Sequence, residues 1–570
     1  MNNFSLKHFV LVTSALLFCG ASLFLSVGCS KNKPPASSLL ESATLQKIPP
    51  TSTGFAVWNN TTDAYKRFVK SAWGKQGGDS WMQLASGLPQ HEALTKWFSS
   101  SGFFVPNPSA PNLIDEGVFF FKIGQTQGDT SIGFYFKGSD KVNLSQKLSE
   151  LKAVLKKEAL EVKDHKFKTA SGFTLPFSQL APPTNTAALP FTPQLLYFAA
   201  DKKQLAVTTS EADANRLFQA DTTGGIDTLR KTKAFQQAVA EIPASKDQLS
   251  FGYVDIRALL GILDLPLTEQ LKLKKQTKLE IDKLPFTALA GSRRMGTTLS
   301  DTVAVLLNPQ SQEHKDLVKR LSSPNKTALS KSAPNDMAIF ISISGETLAA
   351  LKNMAISSAG LPPQAQPLEL FKILDQISGL GIGITNLSGS PFPGVTIMVE
   401  SSNSTQLRAS AKEELTGAFA SIDFPLSPWQ TKELDGVPVD VIMSPLGVGA
   451  MLTDVDGIVV LGSTDDVLKS AIAAIKDRSK GLHASLGAVA RTQVDKAAPL
   501  LLVYANVNKV ASLIEAVQGN LSMFTGGDTN AELQKQIAQL KGMGKVVWTA
   551  AVKSNAVKIE GSYESEPAKN

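Results

Sequence analysis

The order of hydrophobic segments in the first half of the chain returns in the second half, and this recurrence constrains the fold more than any other feature. A strand-like run at residues 50–58 enters a helix at Thr62 and Asp63, and its counterpart at 334–342 enters a helix after Gly345 and Glu346. A hairpin follows in each half: residues 118–123 return at 132–136, and residues 381–384 return at 395–399. Polar helices come next, at 144–155 and 406–415. Gly172-Phe-Thr-Leu175 then matches Gly436-Val-Pro-Val439, and the runs 195–198 and 205–209 match 450–452 and 458–461. Ser210 and Ser463 each precede an acidic first turn, as N-cap residues do. Finally residues 249–255 match 500–506. Chance readily matches one alternating strand to another, but it does not preserve the order of hairpin, capped helix and strand throughout. Under this alignment Phe55 corresponds to Ile339, Ser210 to Ser463 and Tyr253 to Tyr504.

Strands that alternate with helices, yet often come as hairpins, predict an α+β class built as two homologous repeats. Each repeat is expected to hold a largely antiparallel sheet with packed helices, not a doubly wound parallel sheet. The repeats are placed at residues 42–308 and 334–565, joined by a polar linker at 309–333 that contains Ser322-Ser-Pro324. The first repeat carries two loop-like insertions, between residues 68 and 117 and between 175 and 205. The ordered blocks, with their Gly436-Val-Pro-Val439 strand and Asp456-Gly-Ile-Val-Val-Leu-Gly-Ser463 hairpin, resemble an uncharacterised family of bacterial secreted proteins and lipoproteins with a duplicated domain of unknown function. That resemblance covers most of residues 42–565 and implies no activity or site.

Residues 1–28 have the anatomy of an export signal: Lys7, an apolar run from Phe9 onward, and small residues before Cys29. Ser26-Val-Gly-Cys29 resembles a lipobox, in which the cysteine becomes the acylated first residue of the mature chain. It departs from the usual pattern by placing Ser26 where leucine is preferred. Cys29 is therefore the expected lipidation site, residues 29–41 the tether, and a membrane the first partner. Ser30 after the cysteine resembles lipoproteins sorted to the outer membrane. The alternative is an uncleaved N-terminal helix, since residues 9–28 just reach spanning length. Both readings place the body outside the cytoplasm.

The other cysteine, Cys19, lies within the signal, so the body has no thiol for a disulfide, a cluster or a nucleophile. A net charge of +7 is spread over both signs. The densest basic stretch, 147–168, reads as the solvated face of a helix running into a strand, not as a nucleic-acid footprint. His91, His165, His314 and His483 are isolated, and Thr95 stands where a zincin needs its second histidine. The glycines of Gly379-Leu-Gly-Ile-Gly383 lead into a strand, so they form no phosphate loop. Asp454/Asp456 and Asp465/Asp466 are explained by a turn and a helix start. No catalytic residue, metal or cofactor is expected. Two binding features stand out: the aromatic stretch 73–104, and the loop 176–193 with its prolines. The expected function is a non-catalytic envelope lipoprotein that binds or scaffolds. The alternatives are a carrier or chaperone for an apolar ligand in the periplasm, and a hydrolase whose site spacing does not reveal.

Overall fold

The computed structural model describes residues 39–49, 51–71, 73, 113–124, 130–176, 179, 194–218, 225–242, 245–259, 286–308, 312–322, 329–350, 376–387, 393–420, 427–443, 449–497, 499–525, 534, 537–538 and 540–565. Cys29, the aromatic stretch apart from Trp73, and the loop 176–193 apart from Pro176 and Gln179 lie outside the described residues. The chain divides into two compact units, Met1–Gln310 and Ser311–Asn570. Among the described residues no helix is long and apolar enough to cross a membrane.

The first unit contains β1 (Gly54–Asn59), β2 (Ile114–Lys122), β3 (Ser131–Gly138), β4 (Lys163–Lys166), β5 (Ser171–Pro176), β6 (Leu195–Ala200), β7 (Gln204–Thr208), β8 (Gln248–Asp255), β9 (Phe286–Met295) and β10 (Leu299–Leu307). They pair antiparallel in the order β4-β5-β6-β7-β3-β2-β1-β8-β9-β10. Helix α1 (Asp63–Lys70) begins at Thr62, whose hydroxyl accepts from the Tyr65 N–H. In α2 (Leu144–Lys157), Leu144, Leu148, Leu151 and Leu155 form one apolar stripe. The stripe packs with Phe136, Phe173, Phe198 and Leu205. The lysines of the basic stretch take the other side, where Lys147 pairs with Glu150 and Lys152 with Asp164. Helices α3 (Glu211–Leu217), α4 (Gly225–Arg230) and α5 (Lys233–Glu241) follow. The Phe235 ring of α5 packs tilted against Phe55 and edge to face against Phe251 and Tyr253.

The folded body starts earlier than residue 42. Leu39–Glu41 and Ala43–Lys47 form two 3-10 turns with Leu39, Leu45 and Ile48 buried. Glu116 of β2 holds this segment, accepting hydrogen bonds from Ser42 Oγ at 2.8 Å and from Thr44 Oγ1.

The second unit contains β11 (Ile339–Ser344), β12 (Ile377–Thr385), β13 (Gly394–Ser401), β14 (Gln430–Leu434), β15 (Val437–Met443), β16 (Gly449–Val455), β17 (Ile458–Gly462), β18 (Leu501–Asn506), β19 (Lys545–Lys553) and β20 (Ala556–Glu564). They pair antiparallel in the order β14-β15-β16-β17-β13-β12-β11-β18-β19-β20. The tight hairpins turn at Asp435-Gly436 and Asp456-Gly457, where positive φ values at both positions suit Asp-Gly.

The described part of residues 309–333, the stretch expected as a linker, is largely helical. It contains α6 (Gln312–Leu321) and α7 (Leu329–Ser332). Leu329 and Ala333, four apart and so on one helical face, are fully buried in the core of the second unit with Leu468, Ala471 and Leu482. The same core gathers Phe340, Met398, Val460, Tyr504 and Val547 with helices α9 (Asp465–Lys476), α10 (Leu482–Ser485) and α11 (Ala488–Ala497).

Strand register corrects two of the expected correspondences by one residue. Tyr253 pairs with Phe55, and Tyr504 pairs with Phe340, so aligning the two tyrosines sets Phe55 against Phe340 and not against Ile339. The cap of α9 is Thr464, whose hydroxyl accepts from the Val467 N–H. Ser463 instead accepts from the Val395 N–H, as Thr209 accepts from the Ile132 N–H. Ser210, the cap of α3, therefore corresponds to Thr464.

Candidate functional site

An antiparallel sheet with one face on a core normally turns its apolar side chains inward and its polar ones to water. In the second unit, part of the sheet does the reverse. β11 reads Ile-Phe-Ile-Ser-Ile-Ser; Phe340, Ser342 and Ser344 are buried, while Ile339, Ile341 and Ile343 stand on the other side. β12 repeats the pattern, with Gly381, Gly383 and Thr385 inward and Leu380, Ile382 and Ile384 outward. The glycines explain the sense. A Cβ on Gly381 would lie 2.9 Å from the Phe340 ring, and one on Gly383 would lie 2.4 Å from the Met337 side chain. Phe340 and Met337 fill the space those glycines leave, so the isoleucines cannot be the inward set.

The outward positions line up into three rows across six strands. The first row is Val395, Ile384, Ile339, Ala505, Val546 and Tyr563; the second is Ile397, Ile382, Ile341, Val503, Trp548 and Gly561. The third is Val399, Leu380, Ile343, Leu501, Ala550 and Ile559. Of these positions only Gly561 and Tyr563 are buried, and the most open are Ile382 at 42%, Val395 at 38% and Ile341 at 37% exposure. No side chain in the rows carries a charge, and the polar atoms are the Trp548 indole N–H and the Tyr563 hydroxyl. Strand spacing makes the face about 24 Å by about 14 Å between outermost residues, a few hundred Å². Contiguous apolar surface of that extent is often functional. Beyond β13 the same side of the sheet is packed by α8 (Ser404–Ala420), with Leu407 against Leu452 and Val459.

Helix α8 is tied down by charge. Arg408 and Lys412 both reach Asp440 of β15, at 2.9 and 3.2 Å, and Thr431 donates to the same carboxylate. Burial alone would raise the Asp440 pKa; the bonds from Thr431 and Lys412, with the Arg408 guanidinium, overcome it and hold the carboxyl below its ordinary value.

In the first unit the position matching the third row is Phe136, Gly117, Trp58, Ser250, Arg293 and Asp301, and every member is buried. Arg293 and Asp301, at 1% and 2% exposure, form a bidentate pair: Nε donates to Oδ1 at 2.7 Å and Nη2 to Oδ2 at 2.6 Å. Ala550 and Ile559 take these two places in the second unit.

The residues weighed for catalysis are not brought together. His165 Nε2 lies 3.0 Å from Glu211, beside the rings of Phe167 and Tyr197. His483 Nε2 lies 2.9 Å from Asp495, which Lys331 also approaches. Among the described residues no serine hydroxyl bonds to either pair. His91 lies outside the described residues, as does the side chain of His314. Asp454 accepts from Ser404 at 2.6 Å, and Asp465 takes Lys432, so both aspartates hold the fold together. No group of three or more metal-ligating side chains occurs among the described residues.

No family model matches this sequence, and no curated protein matches it. Among solved structures, crystal form I of TP0453 aligns with 50% of this chain and 87% of its own length, at 8% sequence identity and a TM-score of 0.23. It is a weak, distant neighbour, and a likeness of that size assigns neither family nor function.

Proposed function

We propose that the protein is a non-catalytic lipoprotein of the cell envelope, held to a membrane through a lipid on Cys29. On this reading it binds its partner on the apolar sheet face of the second unit. Ser30 after the acylated cysteine favours the outer membrane. The observation that supports binding is the inverted sheet, in which Ile341 and Ile382 are exposed while Ser342 and Ser344 are buried. Burial energetics alone favour the reverse, isoleucine inside and serine outside. We also read the two units as copies of one ancestral domain. The common strand order and the matching bonds at Thr209 and Ser463 support that descent. The carrier reading draws on the same face but needs an enclosing cavity, whereas Ile341, Ile382 and Val395 stand exposed.

In cells, a photo-crosslinking residue in place of Ile382 or Ile341 should give adducts that the same residue in place of exposed Glu433 does not. Equal labelling at all three positions would remove the face as the binding site. Cys29→Ala should abolish incorporation of labelled fatty acid and leave the precursor uncleaved; continued acylation would end the lipobox reading.

A further inference from the structure

Resting on that reading, we propose that the occupant of the apolar face is the bilayer itself: the second unit's sheet lies against the acyl boundary of the membrane that carries the anchor. Polarity narrows the choice of partner first. Across the three rows the side chains hold two polar atoms, on Trp548 and on the buried Tyr563. A protein partner brings about one hydrogen bond per 100–200 Å² and a large polar share of its surface, which this face cannot answer. Hydrocarbon asks for no polar partner at all.

Area argues against a second copy of the chain. Two such faces would bury well under the roughly 1,200 Å² of a stable interface. Shape argues against a single captured acyl chain. An open sheet would leave the far side of that chain in water, whereas a bilayer covers the face and keeps its own chains covered.

The indole of the face fits the same partner. Trp548, whose ring meets the buried Tyr563 edge to face at 5.8 Å, combines an apolar body with a polar tip, as residues at the membrane boundary do. Anchorage completes the argument. Ten residue steps separate Cys29 from buried Leu39, a reach of at most about 35 Å, so an acylated chain keeps the first unit within that distance of the bilayer. A second weak contact then acts at high effective concentration.

The test uses the mature acylated protein in vesicles of phosphatidylethanolamine and phosphatidylglycerol, with and without bromine on the acyl chains. The anchor keeps every variant on the vesicle, and co-sedimentation reads that separately. The signal is the brominated-chain quenching that disappears in Trp548→Phe, which isolates Trp548 from the other tryptophans. We expect Trp548 to be quenched, and the quenching to be lost in the Ile341→Lys, Ile382→Lys double variant. Ile382→Thr should lose part of it, with an unchanged circular dichroism spectrum in both. Co-sedimentation with Trp548 unquenched would overturn the membrane as occupant while leaving the binding face standing, and a protein crosslinked at Ile382 would then name the class of partner. Quenching that persists in both isoleucine variants would equally overturn the proposal.

Discussion

Arg293 and Asp301 face each other across β9 and β10, where the second unit places Ala550 across from Ile559. Both are almost fully buried, and two hydrogen bonds join them. Removing one partner from a buried ion pair costs about 3–5 kcal/mol, whereas replacing both by packed apolar groups is often neutral. Arg293→Ala should therefore lower the stability of the first unit by about 3–5 kcal/mol, and Arg293→Ala with Asp301→Ile should recover most of the loss in denaturant melts. A double variant no better than the single one would mean that the charges do more than complete each other. Asp440 is a different case, since its partners leave it charged at ordinary pH. Because its folded pKa is depressed, its contribution is present above the unfolded value and is lost as pH falls through the folded one. The stability gap between the parent and Asp440→Asn should be constant at neutral pH and close below about pH 4. A gap that closed instead on the alkaline side would contradict the linkage.

At the scale of strands and helices, periodicity was legible and sense was not. The run Ile339–Ser344 alternates plainly, but a reader ranking residues by hydrophobicity turns the isoleucines inward. What decides the face lies in another strand and in α7: the absent side chains of Gly381 and Gly383, and Leu329 behind them. The same limitation produced the slip at Ser463. Two hydroxyl residues stand before that helix, and only the distant Val395 shows which one serves the strand. The polar look of residues 309–333 concealed Leu329 and Ala333, since two buried residues suffice to hold a single turn in a core. The candidate face itself could not be read from the sequence, because its rows join residues from 339 to 563. A paired substitution tests the inverted sense. Gly381→Val would drive its side chain into the Phe340 ring and should cost about 1–3 kcal/mol. Ile341→Ser, on the more open side, should cost less, up to about 1 kcal/mol from lost strand propensity and cross-strand packing. The reverse order of effects would put the isoleucines inside.

For the whole molecule, the question is whether the chain melts as one body or as two. Each of the two principal core clusters draws its residues from one unit. The cores are also of different make: Trp58, Phe119, Phe136, Phe173 and Phe198 crowd the first, while Val, Ile, Leu and Met residues dominate the second. Separate cores favour separate cooperative units, for which a single unfolding free energy is not defined. Calorimetry should therefore resolve two transitions. Phe136 and Phe340 are buried in the first and second cores respectively, and truncating such a ring costs about 3–5 kcal/mol through lost burial and the cavity left behind. Phe136→Ala should move one transition down and leave the other in place, and Phe340→Ala should do the converse. The assignment can be made independently of the heat signal, because hydrogen exchange would report early opening in β2 and β3 for the first variant and in β11 and β12 for the second. If either substitution shifts both transitions equally, or if one transition carries the whole enthalpy, the units unfold together and their cores are energetically one.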